Sequence, residues 1–112
     1  MPERRTTPRQ KFSLYMRVLD DDTQEQLGHM VEVSSDGLKL ETSVDLPINK
    51  DYYLRVELTP ELADRPFIVF IARTRWSKVG ILPNLFQCGF QIIEMMPDDK
   101  EIFLDIVKKF AS

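Results

Sequence analysis

The sequence is poor in the residues that build covalent or metal-linked cores. Its 112 residues include one cysteine, Cys88, and one histidine, His29. A disulfide within the chain is therefore impossible, and a structural metal site is not expected. The two residues are also far apart in sequence, so no group of nucleophile, base and orienting residue can be assembled. We predict that the protein is not an enzyme and that Cys88 is a buried structural thiol.

Long hydrophobic runs are missing as well. The longest apolar run covers residues 67–72, which is far too short to span a bilayer, and the N-terminus lacks the basic-then-apolar order of a signal peptide. We therefore expect a cytoplasmic protein without membrane insertion. The length suits one domain with a single modest core, and we expect a monomer or a weak homodimer.

The N-terminus carries a local excess of positive charge. The chain has a net charge of -3, yet residues 1–11 carry Arg4, Arg5, Arg9 and a lysine against one glutamate. This segment has no apolar period, which is typical of a flexible arm that a partner orders. A short basic arm on an acidic chain suits one small anion better than an extended nucleic acid, so binding of DNA or RNA is not expected.

Apolar and polar residues alternate from residue 12 onward with the period of β-strands. The alternation places Val31 and Val33 of the second strand toward the core. Asp36-Gly37 then predicts a tight hairpin with positive φ at Gly37. Six strands are predicted in all, over residues 12–18, 30–34, 38–40, 52–58, 67–76 and 86–92.

The end of the chain has helical periodicity. Asp98-x-x-Glu101 resembles a capping box, and an apolar stripe follows it, so a helix is predicted over residues 99–110. Regularly spaced strands before one helix predict a mainly β fold, a six-stranded antiparallel (split) β-barrel with a C-terminal α-helix. The predicted domain covers residues 12–112, after the flexible arm.

Two polar patterns contain side chains suited to a phosphorylated purine. Arg5-x-x-x-Arg9 offers two guanidinium forks, each able to bind a phosphate or the edge of guanine. In Glu32-x-Ser34-x-x-Gly37, the carboxylate and the hydroxyl share an outward strand face, while glycine allows close approach of the backbone. Taken alone, each pattern is more typical of a solvated tail or an ordinary hairpin.

Trp76 is a tentative addition to this set. An indole on the outside of the fifth strand could stack on a guanine, although an indole at the end of an apolar strand is more often part of the core.

Together, the two patterns resemble the motifs of PilZ domains, which are receptors for cyclic di-GMP. The PilZ pattern is Arg-x-x-x-Arg followed by Asp or Asn-x-Ser-x-x-Gly, and the resemblance extends to Arg73-Thr74-Arg75-Trp76 and to residues 88–92. It implies a six-stranded barrel with a C-terminal helix, in agreement with the strand count. By this resemblance the ligand is cyclic di-GMP, with no other cofactor and no metal, bound by Arg5, Arg9, Glu32, Ser34 and Gly37. Arg4 adds charge to the same site, and Trp76 is included tentatively for stacking.

The resemblance also implies an adaptor in bacterial second-messenger signalling, in which the arm closes over the ligand and a downstream protein reads the change. Motility and biofilm control are the processes it suggests. Glu32 departs from the pattern, since it replaces Asp or Asn with a side chain one methylene longer. One alternative is therefore a PilZ-like protein-interaction adaptor that has lost ligand binding. Another is a small barrel that binds single-stranded nucleic acid through the arm and exposed aromatics.

Overall fold

The chain folds into a closed antiparallel barrel. The structure, a computed structural model, describes residues 16–110, so the predicted arm and the start of the first predicted strand lie outside the described residues. Around the barrel the strands follow the order β1-β2-β3-β6-β5-β4, and every neighbouring pair is antiparallel. The described elements are β1 (Arg17–Asp20), β2 (Gln26–Ser34), β3 (Gly37–Thr42), β4 (Asp51–Glu57), β5 (Phe67–Val79), β6 (Phe86–Met95) and α1 (Pro97–Phe110). This confirms the predicted fold.

Alternation along the strands fills the barrel. Leu38 and Leu40 of β3 and Cys88 of β6 point into the core, as their spacing predicts. The prediction is wrong for Val31. A bulge between Met30 and Glu32 shifts the register of β2, so that Met30 is buried in place of Val31, while Val33 is buried as predicted.

Helix α1 packs its predicted apolar stripe against the barrel. Phe103 is buried, and its ring centroid lies 5.8 Å from that of Phe70 on β5. The helix begins at Pro97, two residues before the predicted start, because proline is favoured in the first helical position. Asp98 therefore lies inside the first turn and the predicted capping box does not form.

The next residue, Asp99, anchors the start of the helix. Its carboxylate is 2.6 Å from Arg65 Nη1 and accepts a 3.4 Å hydrogen bond from the Val69 N–H. A negative charge in the first turn also interacts favourably with the helix dipole. This one side chain thus ties α1 to β5 and to the loop before it.

The β2–β3 hairpin corrects the predicted role of Gly37. Ser34 pairs with Gly37 across the strands, so the two loop residues are Ser35 and Asp36. Neither of these two loop residues has positive φ, and Gly37 does not have it either. Glycine is required there for space, since a Cβ at Gly37 would lie 2.5 Å from the carbonyl oxygen of Phe90 on β6.

Helix α1 is also the only helix of the described residues, and it is neither long nor apolar enough to cross a membrane.

Candidate ligand-binding site

A groove of about 350 Å³ runs along the outside of the barrel between the β2–β3 hairpin and strands β5 and β6. It brings together the predicted site residues Glu32, Ser34, Gly37 and Trp76. Pairing of β3 with β6, and of β6 with β5, is what places these distant parts of the chain side by side. The full lining is Glu32, Val33, Ser34, Asp36, Gly37, Leu38, Lys39, Arg75, Trp76, Gly89, Phe90 and Gln91. The other predicted ligand residues, Arg4, Arg5 and Arg9, lie outside the described residues.

Ser34 presents its hydroxyl at one wall of the groove. Its Oγ lies 3.1 Å from Asp36 Oδ1 and 3.4 Å from the carbonyl oxygen of Gly37, and it can donate to either. Such side-chain bonds are typical of polar residues at turns. They hold the hydroxyl at the groove, where its lone pairs can accept a hydrogen bond from a ligand.

Glu32 faces Lys39 across the hairpin. The two residues are cross-strand partners, and Lys39 Nζ is 2.9 Å from Glu32 Oε2. Each side chain is largely shielded from solvent, with 22% of Lys39 and 34% of Glu32 exposed. The carboxylate of Glu32 therefore already has a cationic partner.

Trp76 lies outside the core and forms part of the groove floor. It is 40% exposed, so it does not occupy the core position that is more common for an indole at the end of an apolar strand. Its place on the outside of β5 agrees with the tentative prediction. Trp76 is paired with Gly89 across β5 and β6, and a Cβ at Gly89 would collide with the indole ring. The absence of a side chain at Gly89 thus lets the indole lie against the strand.

Sequence reasoning missed four polar residues of the groove: Asp36, which it assigned only to the hairpin turn, and Lys39, Arg75 and Gln91. Lys39 could have been found as the residue that faces Glu32 in a two-residue hairpin. Arg75 and Gln91 come from strands that only the barrel topology brings to this place. Arg75 also lines a second cleft of about 530 Å³, next to the groove.

The second cleft is bordered by a bidentate ion pair. Arg73 Nε and Nη2 donate to the Asp51 carboxylate at 2.7 and 3.2 Å. The hydrogen bond from Arg73 lowers the pKa of Asp51 and, in turn, raises the pKa of Arg73. Both charges are therefore satisfied by each other.

Buried Thr74 holds the loop of the second cleft in place. Its hydroxyl donates to the carbonyl oxygen of Pro47 at 2.6 Å and accepts from the Lys50 N–H at 3.1 Å. Asn49, the residue before Lys50, has a φ of 59°, which asparagine tolerates better than most residues. The cleft thus has a wall fixed by hydrogen bonds to β5.

The potentially reactive side chains lie away from the groove. Cys88 is fully buried, as predicted, and His29 lies on the outside of the barrel with Nε2 3.5 Å from Glu41 Oε1. Between residues 16 and 110 no three potential metal ligands cluster. The groove offers hydrogen bonds, charge and an aromatic face, which are the means of binding an anionic ligand with a planar base.

Solved structures share this fold. The PilZ domain of YcgR from Escherichia coli, solved with c-di-GMP, superposes with a TM-score of 0.63 at 13% identity, over 96% of this chain and 92% of that one. MotI/DgrA, the inhibitor of motility from Bacillus subtilis, gives 0.71 at 14% identity over 96% of this chain and 51% of its own. MrkH from K. pneumonia in its apo state gives 0.68 at 17% identity, with 97% and 52% covered. The chain thus spans about half the length of MotI and of MrkH.

Comparison with curated proteins gave no match. The family profile described as the PilZ domain matches residues 3–109, nearly the whole sequence. The match includes both polar patterns, and the barrel with its C-terminal helix agrees with it. This chain therefore belongs to the PilZ domain family.

Proposed function

We propose that the chain is a receptor for cyclic di-GMP that acts as an adaptor, with the ligand bound in the groove. The observation that supports this most is that Trp76 of β5 lines one groove with Glu32, Ser34 and Gly37 of the β2–β3 hairpin, although the two segments are far apart in the sequence. Membership of the PilZ family and structural similarity to a PilZ domain solved with c-di-GMP support the same ligand.

Each side chain has a role in this proposal. One guanine stacks on the indole of Trp76, which is 40% exposed and lines the groove, because every base has a π-face that can stack on an aromatic side chain. Ser34 accepts a hydrogen bond from the ligand, and the space at Gly37 keeps β3 and β6 close together below it. From the arm, residues 1–11, Arg5 and Arg9 bind phosphate and guanine, with Arg4 adding charge.

The arm converts binding into a signal. Its positive charges repel one another when no ligand is bound, and it folds over the anionic ligand when Arg5 and Arg9 bind that ligand. This changes the surface that a downstream protein reads. Similarity to an inhibitor of motility from Bacillus subtilis makes motility one candidate process for this adaptor.

Calorimetric titration of cyclic di-GMP into the purified chain tests the proposal. We expect saturable binding that Arg5→Ala or Arg9→Ala abolishes. Trp76 is the only tryptophan of the sequence, so its fluorescence reports on the groove directly and should change as the ligand binds. No heat and no fluorescence change with the wild type would refute the proposal.

Trp76→Ala tests the stacking step on its own. Loss of one stacked base should weaken binding by about 1–3 kcal/mol, and Trp76→Phe should recover part of this. Val79→Ala is a matched control, because Val79 is an exposed apolar residue of the same strand outside the groove lining. Equal affinity of Trp76→Ala and Val79→Ala would exclude stacking on Trp76.

The ion pair between Glu32 and Lys39 favours a second candidate, a PilZ-like adaptor that acts through protein contacts without binding cyclic di-GMP. In this candidate the longer glutamate is held by Lys39 and does not reach guanine. Glu32→Asp separates the two candidates in the same titration. Binding by the aspartate variant alone would favour the second candidate, and binding by both proteins would remove its basis.

A further inference from the structure

Strand β5 contains a bulge at Arg75. Thr74 pairs with Phe90 and Trp76 pairs with Gly89, so Arg75 has no residue opposite to it. In a regular strand, consecutive side chains point to opposite faces. At this bulge Thr74 is buried, while both Arg75 and Trp76 are exposed. The bulge therefore places a guanidinium and an indole, adjacent in sequence, on the same side of the barrel.

Arg75 differs in its charge balance from Lys39 and Arg73. Lys39 pairs with Glu32 in the groove, and Arg73 pairs with Asp51 in the second cleft. Within residues 16–110, no carboxylate lies within ion-pair distance of Arg75. Its guanidinium donors remain available at the boundary of the groove and the cleft, which both include Arg75 in their lining.

We propose that Arg75 binds a phosphate of the ligand in the groove. This inference rests on the proposed function and adds to it a contact outside the two sequence patterns. A planar guanidinium can donate two parallel hydrogen bonds to a phosphate. Because Trp76 is the next residue, Arg75 contacts the phosphodiester attached to the nucleoside that stacks on Trp76. Strand β5 thus recognises a base and its phosphate together, from the side of the groove opposite Ser34.

The next lysine along β5 has a different role. Lys78, the next cation along β5, lies 5.4 Å from the centroid of the Trp76 ring and is not part of the groove lining. Its ammonium makes a cation–π contact with the indole from outside the groove lining. The phosphate contact is therefore assigned to Arg75 and not to Lys78.

Calorimetric titration of the full chain with cyclic di-GMP tests this assignment. We expect Arg75→Ala to raise the Kd at least about tenfold, and Arg75→Lys to recover only part of the affinity, since lysine keeps the charge but loses the fork. The phosphorus NMR signal of bound ligand should shift between wild type and Arg75→Lys. A purely structural role of Arg75 would leave that signal unchanged.

Arg17→Ala is the matched control. Arg17 is an exposed arginine on β1, across the barrel from the groove, and it pairs with Glu57. Because both residues are arginines, Arg17→Ala changes the net charge of the chain by the same amount as Arg75→Ala. It should bind as the wild type does. If the wild type binds and Arg75→Ala binds equally well, the Arg75 assignment is wrong while the proposed function stands. If the wild type does not bind cyclic di-GMP, both are wrong.

Discussion

Replacing Gly37 with alanine should destabilise the barrel through a steric clash between strands. An added Cβ would lie 2.5 Å from the backbone oxygen of Phe90, whereas ordinary contacts begin at 3.4 Å. The strands would have to separate locally by 3.4 − 2.5, or about 0.9 Å. Neither side can yield cheaply, because the obstacle is backbone in a paired strand and Leu38, the next residue, is buried in the core.

The cost can be estimated from other overpacked sites. Inserting a methyl group into a filled space costs about 1–3 kcal/mol. For a domain of this size, each kcal/mol lowers Tm by about 4–8 °C, so we expect a decrease of roughly 4–24 °C. Urea unfolding followed by circular dichroism should show a lower midpoint with an unchanged slope.

Gly37→Asn distinguishes the clash from backbone strain. Asparagine tolerates positive φ better than alanine but needs more space. The structure therefore predicts that Gly37→Asn is at least as unstable as Gly37→Ala. Gly80→Ala is a milder control, since its Cβ would lie 3.1 Å from the Leu85 oxygen. A Gly37→Asn protein more stable than Gly37→Ala would refute the reasoning, as would a Gly37→Ala protein as stable as the wild type.

Three further predictions concern single side chains. Asp99→Asn removes the ion pair with Arg65 and should lower the free energy of unfolding by about 1–2 kcal/mol in urea, whereas an unchanged midpoint would contradict the anchoring role. Thr74→Val removes the hydroxyl that binds Pro47 and should speed amide hydrogen exchange in the loop before β4; wild-type exchange rates there would contradict it. Burial raises the pKa of Tyr52 above its ordinary value of 10.0. The neutral form of Tyr52 contributes stability that is present below pH 10.0 and is lost as pH rises through the folded-state pKa. Urea midpoints should therefore fall more steeply above pH 10.0 for the wild type than for Tyr52→Phe. Identical pH profiles of the two proteins would contradict this prediction.

The strands and the helix were predictable because their signals are local. Alternation places Leu38, Leu40 and Cys88 in the core, and the helical stripe places Phe103 there. The error in the inward face of β2 has a tertiary cause. Val31 was assigned to the wrong face because a bulge breaks the alternation in β2, and nothing in the composition marks where a bulge falls.

Part of the hairpin side of the groove was predictable in the same way. Glu32, Ser34 and Gly37 belong to one short pattern on one hairpin, so their proximity follows from strand geometry. The role of Gly37 was not predictable, because its close neighbour, Phe90, belongs to another strand. The position of Arg75 in the groove lining was likewise not predictable, since it depends on a bulge in β5.

The sequence by itself determined the elements, their inward faces and the patterns that resemble a PilZ domain, because periodicity and short motifs depend on residues close along the chain. The tertiary structure decided which elements meet. Closure of the barrel pairs β3 with β6 and β6 with β5, and this brings Arg75 and Trp76 beside the β2–β3 hairpin. Pairing register and bulges are set by packing between distant segments, so the groove, the partner of Glu32 and the exposure of Trp76 emerge only in the folded barrel.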